Sequence, residues 1–271
     1  MIALTAYNAY FDRSADSPDD KTVVAGYVSS VEQWGQWETN WKLTLASFDV
    51  PFFHMRNFVA CRVPFDHPKW TSEKYRTEFL SRLIGITCEW AIASFAVLLD
   101  QSVYENANKF WQLDKHLNPY AICGKDCAIK SLNFIRNEYK SDLPIAYLFE
   151  RGDPKPGMLI KIMERAGLPN PIFKRPRPDP QLDKNDPPAI QLQACDLVAW
   201  EVRRGDHDFR LRGKLRTSLH AIASIRNRRW GQCNEQGLNA LIQAAQIPLR
   251  PEWQHLGGSL ADVIKHYCKK Q

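Results

Sequence analysis

The stretch Leu4-Thr5-Ala6-Tyr7-Asn8-Ala9-Tyr10-Phe11, running straight into Asp12, decides how this chain is read. Its apolar and aromatic side chains suit a buried β-strand, and that strand delivers a carboxylate at its C-terminal end. The segment that follows, Arg13-Ser14-Ala15-Asp16-Ser17-Pro18-Asp19-Asp20, is too polar to continue the strand and reads as a loop. A charge at the mouth of an apolar strand costs free energy unless a counter-charge or a metal ion meets it. The fold therefore has to bring a partner to Asp12.

Working outward, Thr22 to Val28 reads as a second strand, a hairpin partner of the first. Ser30-Val31-Glu32-Gln33 is a capping box, and the helix it opens carries Trp34, Trp37, Trp41, Leu45 and Phe48 at helical spacing, the pattern of a core seam. Phe52-Phe53-His54-Met55 is a short apolar segment, and a second helix is expected over about 71–89 with Tyr75, Phe79, Leu83 and Ile84 on one face. Ala91 to Leu99 is apolar throughout, which predicts a central third strand. Two helical stretches follow, the second over about 120–139 with Cys123, Cys127, Leu132 and Ile135 on its stripe. Leu143 to Phe149 is a fourth strand, and it ends at Glu150. A helix over 157–166, with Gly167 behind it as a C-cap, leads to a short fifth strand at Pro171-Ile172-Phe173. The proline- and charge-rich run 174–188 predicts an exposed loop. Asp186-Pro187 is then expected to start a helix over about 189–203 that buries Leu192, Cys195, Ala199 and Val202. The rest reads as helical with breaks. The expectation is an α/β fold in one domain, residues 1–271, with a core over about 1–205 and a helical C-terminal extension over 206–271.

The totals narrow the class. With 271 residues, 44% hydrophobic and 24% charged, the chain has the composition of a globular protein. No run of about 18 apolar residues predicts a membrane span. No basic n-region precedes the first apolar stretch, so a secretory signal is not expected. Seven cysteines, an odd number, suit a reducing compartment, and a cytoplasmic protein is expected. The net charge of +6 is concentrated in the C-terminal half, at Lys174-Arg175-Pro176-Arg177, Arg203-Arg204, 210–216 and 226–229. These clusters read either as solvated faces or as the footprint of a phosphate backbone.

Three acids share a placement. Asp12 closes the first strand, Glu150 closes the fourth, and Asp196 lies beside the apolar stripe of the helix after the fifth. Sites in open α/β sheets form beyond the carboxyl ends of central strands, so the three can converge. Clustered carboxylates suit hard dications such as Mg²⁺, and a pair of such ions activates water and stabilises the leaving oxygen in phosphodiester cleavage. Taken singly, each acid also reads as a surface or helix-pairing group. His54 reads as a structural histidine or a site-lining one. Asp153 reads as a supporting group or a turn residue, and Glu201 as a metal ligand or a partner of Arg203 or Arg204. An EF-hand reading of the first loop fails because Ser17 stands at the glycine position and Val23 at the bidentate acid position. Cys123 and Cys127 have no second ligand pair for zinc, and there is no Walker loop, dinucleotide fingerprint or nucleophile elbow.

Several motifs, in this order, resemble the family called domain of unknown function 3800: Tyr10-Phe11-Asp12-Arg13-Ser14, Val23-Val24-Ala25-Gly26-Tyr27-Val28, Trp37-Glu38-Thr39-Asn40-Trp41, Phe53-His54-Met55, Phe149-Glu150-Arg151-Gly152-Asp153, and Leu192 to Glu201. The resemblance spans about residues 5–203. It implies a ribonuclease H-like mixed central sheet flanked by helices, with a metal-dependent nuclease-type site. Asp12, Glu150 and Asp196 then match the family's acids, and His54 moves toward a site-lining role. One position departs. Where the family carries a second acid directly after the first, this chain has Arg13, which cannot ligate a metal and is expected to contact a phosphate or to pair with Asp12. Asp16 is near enough in sequence to stand in as a ligand.

The expected function is a Mg²⁺- or Mn²⁺-dependent phosphodiester hydrolase acting on nucleic acid. Arg13, His54, Lys174, Arg175, Arg203 and Arg204 are its candidate substrate contacts. The rivals are a catalytically degraded nucleic-acid- or partner-binding protein on the same fold, and a small-nucleotide phosphoesterase.

Overall fold

The computed structural model describes residues 6–15, 21–153 and 155–252. Its elements run β1 (Tyr7–Ser14), β2 (Lys21–Ser30), α1 (Val31–Ser47), α2 (Met55–Val59), α3 (Glu73–Trp90), β3 (Ala93–Asp100), α4 (Gln101–Asn108), α5 (Leu113–His116), α6 (Pro119–Tyr139), β4 (Ile145–Glu150), α7 (Pro156–Arg165), β5 (Ile172–Lys174), α8 (Leu192–Arg212), α9 (Thr217–Ala223), β6 (Arg228–Cys233) and α10 (Glu235–Ala244), with a 3₁₀ turn at Pro68–Thr71. The strands form one mixed sheet in the order β5-β4-β1-β2-β3-β6. β2 is antiparallel to β1 and β3, while β1–β4, β4–β5 and β3–β6 are parallel pairs.

Helices cover both faces, because the central strands are apolar on both sides. Ala9 and Phe11 of β1 join Val24, Phe95 and Phe149 in a cluster with α4, α5, α6, α7 and α10. Tyr10, Val23, Ala25 and Tyr27 point the other way and pack with α1, α3, α8 and α9. The period-two alternation of each strand therefore assigns every side chain to one of two cores. Trp34, Trp37 and Trp41 are buried in the second core, and the rings of Trp37 and Trp41 stack at 4.5 Å. Ser30 caps α1 by accepting from the Gln33 N–H. Among the described residues no helix is long and apolar enough to cross a membrane. Cys123 and Cys127 are buried core thiols, with Cys127 Sγ 3.3 Å from the Val24 carbonyl.

Four expectations change. β1 does not stop at Asp12 but runs through Ser14, whose partner in the hairpin is Val23. Hairpin pairing carries polar residues along once the apolar register is set. The start of the first predicted strand (1–5) and Asp16 lie outside the described residues. α8 does not begin at Asp186-Pro187. Pro187 and Pro188 disfavour helical backbone at the residue before each, and the Asp186 carboxylate is bound by Lys174 at 2.6 Å and Arg151 at 2.8 Å instead of capping. The helix begins at Leu192 and continues past Arg203 to Arg212, where Gly213 takes φ 64° and ends it. Finally, the segment read as a helical extension supplies β6 to the sheet, parallel to β3 with Ser94 opposite Arg228. Arg228-Arg229-Trp230-Gly231 shows no alternation to betray a strand. Its arginines instead lie over aromatic rings, Arg228 over Trp230 at 5.2 Å and Arg229 over Phe134 at 5.5 Å.

Candidate active site

The strand register places the first two acids. β1 and β4 are parallel neighbours paired up to Phe11 opposite Phe149, whose rings lie 5.3 Å apart. Asp12 and Glu150 are the next residue on each strand, and alternation turns both to the face on which α8 packs. Helix α8 is seated there by Leu192, Cys195, Val198 and Ala199, all buried, and by the Cys195 thiol, 3.2 Å from the Tyr10 carbonyl. The residue after Cys195 is Asp196, which the helix brings beside the two strand ends.

Each acid is held. Asp12 Oδ1 accepts from the Arg13 N–H at 2.6 Å, and Asp196 Oδ2 accepts from the Met55 N–H at 2.6 Å. The Asp12 and Glu150 carboxyl groups lie close enough to shift each other's titration. Asp12 is buried, while Glu150 and Asp196 are half-buried. Burial, reinforced by the charges of Glu150 and Asp196, holds the Asp12 carboxyl well above the usual carboxylate range. Burial also raises Glu150 and Asp196, opposed in part by His54 and Arg177 nearby. Among the described residues no ion pair includes any of the three acids; the adjacent cations turn elsewhere, Arg13 to Asp153 at 2.9 Å and Arg151 to Asp186. Burial and mutual repulsion thus favour the protonated forms of Asp12 and Glu150 relative to free carboxyl groups.

The acids open into a cleft of about 210 Å³ that His54, Arg56, Tyr120 and Trp200 help to line. His54 Nδ1 lies 3.2 Å from Asn57 Oδ1, which orients the ring. The Tyr120 hydroxyl is buried with no hydrogen-bond partner among the described residues. Burial and the acids around it push its phenol up, so it is an O–H donor at any physiological pH. Asp153 is a supporting group: it binds the Arg13 guanidinium and accepts from the Lys155 N–H at 2.9 Å. Gln193 ties the site's frame together. Its Oε1 accepts from Trp41 Nε1 at 3.0 Å and from the Phe53 N–H at 2.9 Å, and its Nε2 donates to the Pro176 carbonyl at 2.8 Å. This anchors the segment before α2, and with it the Met55 N–H that holds Asp196.

Of the residues expected at the site, Asp12, Glu150, Asp196, Arg13 and His54 come together in the cleft. The basic candidates of the C-terminal half do not line it. Lys174 pairs with Asp186, Arg175 with Asp183 at 3.2 Å, and Arg204 with Asp208 at 3.4 Å. Arg203 is buried and donates to Ser14 Oγ at 3.0 Å. Glu201 is fully buried and binds Arg216 and Ser218 rather than Arg203 or Arg204. Arg13 does not pair with Asp12 through its guanidinium, which goes to Asp153. Tyr120, Trp200 and Gln193 went unsuspected as site residues, because each sits at a position that helical spacing alone assigns to packing.

Among the described residues no group of three or more His, Cys, Asp or Glu side chains stands in a ready-made metal-binding arrangement. The donor chemistry nonetheless suits a hard dication: three carboxyl groups whose protons, favoured by burial, a bound ion would displace. No protein-family model, curated protein or solved structure matches the chain.

Proposed function

We propose that this chain is a ribonuclease H-like, metal-dependent phosphodiester hydrolase acting on nucleic acid, related to the domain of unknown function 3800 family. The observation that carries this reading is the meeting of Asp12, Glu150 and Asp196 in one cleft, with raised carboxyl pKa values, at the ends of two parallel strands and on the helix that covers them. A mixed sheet flanked by helices accords with the fold half of the proposal. Keeping three like-charged groups together destabilises a folded chain unless a cation or a proton offsets them, which makes the cluster a functional candidate.

Asp12, Glu150 and Asp196 would hold Mg²⁺ or Mn²⁺, which when bound supplies Lewis-acid activation of a phosphoryl oxygen and a water of lowered pKa. The chain's own groups would do the rest. Asp12 and Glu150, which burial biases toward their protonated forms, would release their protons to solvent on binding the ion, and Tyr120 would donate its O–H toward a phosphoryl oxygen. Arg13, fixed by Asp153, presents positive charge at the cleft edge. His54, oriented by Asn57, is within the cleft to move a proton.

Melting temperature followed against Mn²⁺ tests the reading, with Asp12→Asn, Glu150→Gln and Asp196→Asn beside the parent. The parent should be stabilised by the ion and the variants should not. A parent that gains nothing, or three variants that respond as it does, sinks the shared site. A second reading, a binder without catalysis, draws on Arg13, which stands where the related family carries an acid. Arg13→Asp separates the two: oligonucleotide cleavage that appears only in that variant makes the natural chain a binder.

A further inference from the structure

Several cations of the basic clusters are paired within the molecule. Lys174, Arg175, Arg204, Arg210 and Arg216 all have carboxylate partners in the chain. A second cavity, of about 290 Å³, is different. Lys115 and His116 of α5 line it together with Lys155, Lys161 and Arg165 of the α7 region, and no acid does. Lys115, Lys155, Lys161 and Arg165 are exposed. Among the described residues no ion pair includes any of these four; Lys115 Nζ reaches only the Gln112 amide oxygen, at 3.0 Å. The nearest acids in sequence are Glu164, exposed on α7, and Asp114, which binds Arg250 at 2.8 Å. Lys161 and Arg165 stand four residues apart on one helical face, where like charges repel. Such an arrangement is stabilised by an anion supplied from outside.

This cavity shares a wall with the acid cleft. Leu117 lines the cavity and Tyr120 the cleft, and both belong to the segment leading into α6. Asp153 lines the cleft, and its Oδ1 accepts from the N–H of Lys155, which lines the cavity. Asn118 Nδ2, 3.5 Å from the same oxygen, closes the wall from the α6 side. The basic pocket therefore borders the acid cleft through Asp153 and Lys155.

We infer that the pocket formed by Lys115, His116, Lys155, Lys161 and Arg165 is the phosphate-backbone subsite of the nucleic-acid substrate, in place of Lys174, Arg175, Arg203 and Arg204. This rests on the nucleic-acid reading above. Its affinity is electrostatic and independent of base sequence, and it falls with salt as counterions are released.

The test is fluorescence anisotropy of a labelled single-stranded oligonucleotide in EDTA, where cleavage plays no part, across a salt series. Two variants of equal charge change are compared: Lys161→Gln with Arg165→Gln, and, as control, Lys42→Gln with Arg82→Gln on the exposed faces of α1 and α3. The first should bind at least tenfold more weakly than the parent. Its log–log salt slope should fall by about 1.4, since each neutralised phosphate accounts for about 0.7 and two cations are removed. The control should bind as the parent does. A parent that binds while both variants match it overturns the subsite and leaves the nucleic-acid reading standing. A parent that binds no oligonucleotide at low salt overturns both, and the Mn²⁺ response then speaks for the acid site alone.

Discussion

Tyr120 ends in a buried hydroxyl with nothing of the described chain to bond to, beside three acids that burial forces toward their protonated forms. A group in that state contributes little to folding, because its removal breaks no native hydrogen bond. Tyr120→Phe is therefore expected to leave the melting temperature unchanged or slightly raised while lowering kcat/KM for Mn²⁺-dependent phosphodiester cleavage by about tenfold or more. A large drop in stability with activity intact would reverse that assignment. Asp12 makes the opposite trade. Its carboxyl pKa is raised in the folded chain, so the folded state holds the proton more tightly than the unfolded one. The stability linked to that proton is complete below the usual carboxylate range, near 4, and drains away as pH rises toward the folded value. In EDTA, urea unfolding of Asp12→Asn against the parent should show the variant gaining on it as pH rises above the usual carboxylate range. A gap that stays constant with pH would mean that Asp12 is not strained by burial.

At the scale of elements, α8 does most of the organising. It carries Asp196 to the strand ends, and through Gln193 it holds α1, the segment before α2 and the loop at Pro176. Gln193→Ala leaves two buried N–H donors and one carbonyl without a partner, which should cost about 2–4 kcal/mol in chemical unfolding. Because Phe53 lies two residues before Met55, the variant should also lose part of its response to Mn²⁺. Normal metal affinity in a destabilised variant would confine Gln193 to packing. How much of this element could be read in advance depended on the range of the interaction. The apolar stripe Leu192, Cys195, Ala199, Val202 is local and announces the helix. Its start was misplaced because Asp186 looked like a cap, and the ion pairs that claim it come from Arg151 and Lys174, 35 and 12 residues away. The same limit applies to Lys174 and Arg175, whose charges read equally as a solvated face or a phosphate footprint and whose carboxylate partners, Asp186 and Asp183, lie further along the chain. Asp12 and Glu150 were legible because strand alternation is a local rule that also fixes the face. Tyr120 was not, since it opens the same buried stripe as Cys123 and Cys127.

Across the whole molecule, the sheet separates two cores that serve different purposes. The acids all emerge on the α8 face, while α6 and its neighbours fill the other face with apolar side chains. The strands β1 to β5 were readable from composition and alternation, and β6 was not, because its residues look like a polar loop. That overlooked strand has a further consequence. A sheet ends where its last strand offers unpaired amide and carbonyl groups to any passing chain, and long, flat, apolar margins recruit copies into aggregates. Here one margin, β5, is three residues long, and the other, β6, leads with Arg228 and Arg229, exposed and lying over Trp230 and Phe134. Replacing both with threonine keeps the strand's propensity and strips its guard, so light scattering at 37 °C should rise from the first hours of incubation while the parent stays clear. The two arginines that disguise the strand are thus also its guard: positive charge on this margin opposes pairing with the same margin of another copy.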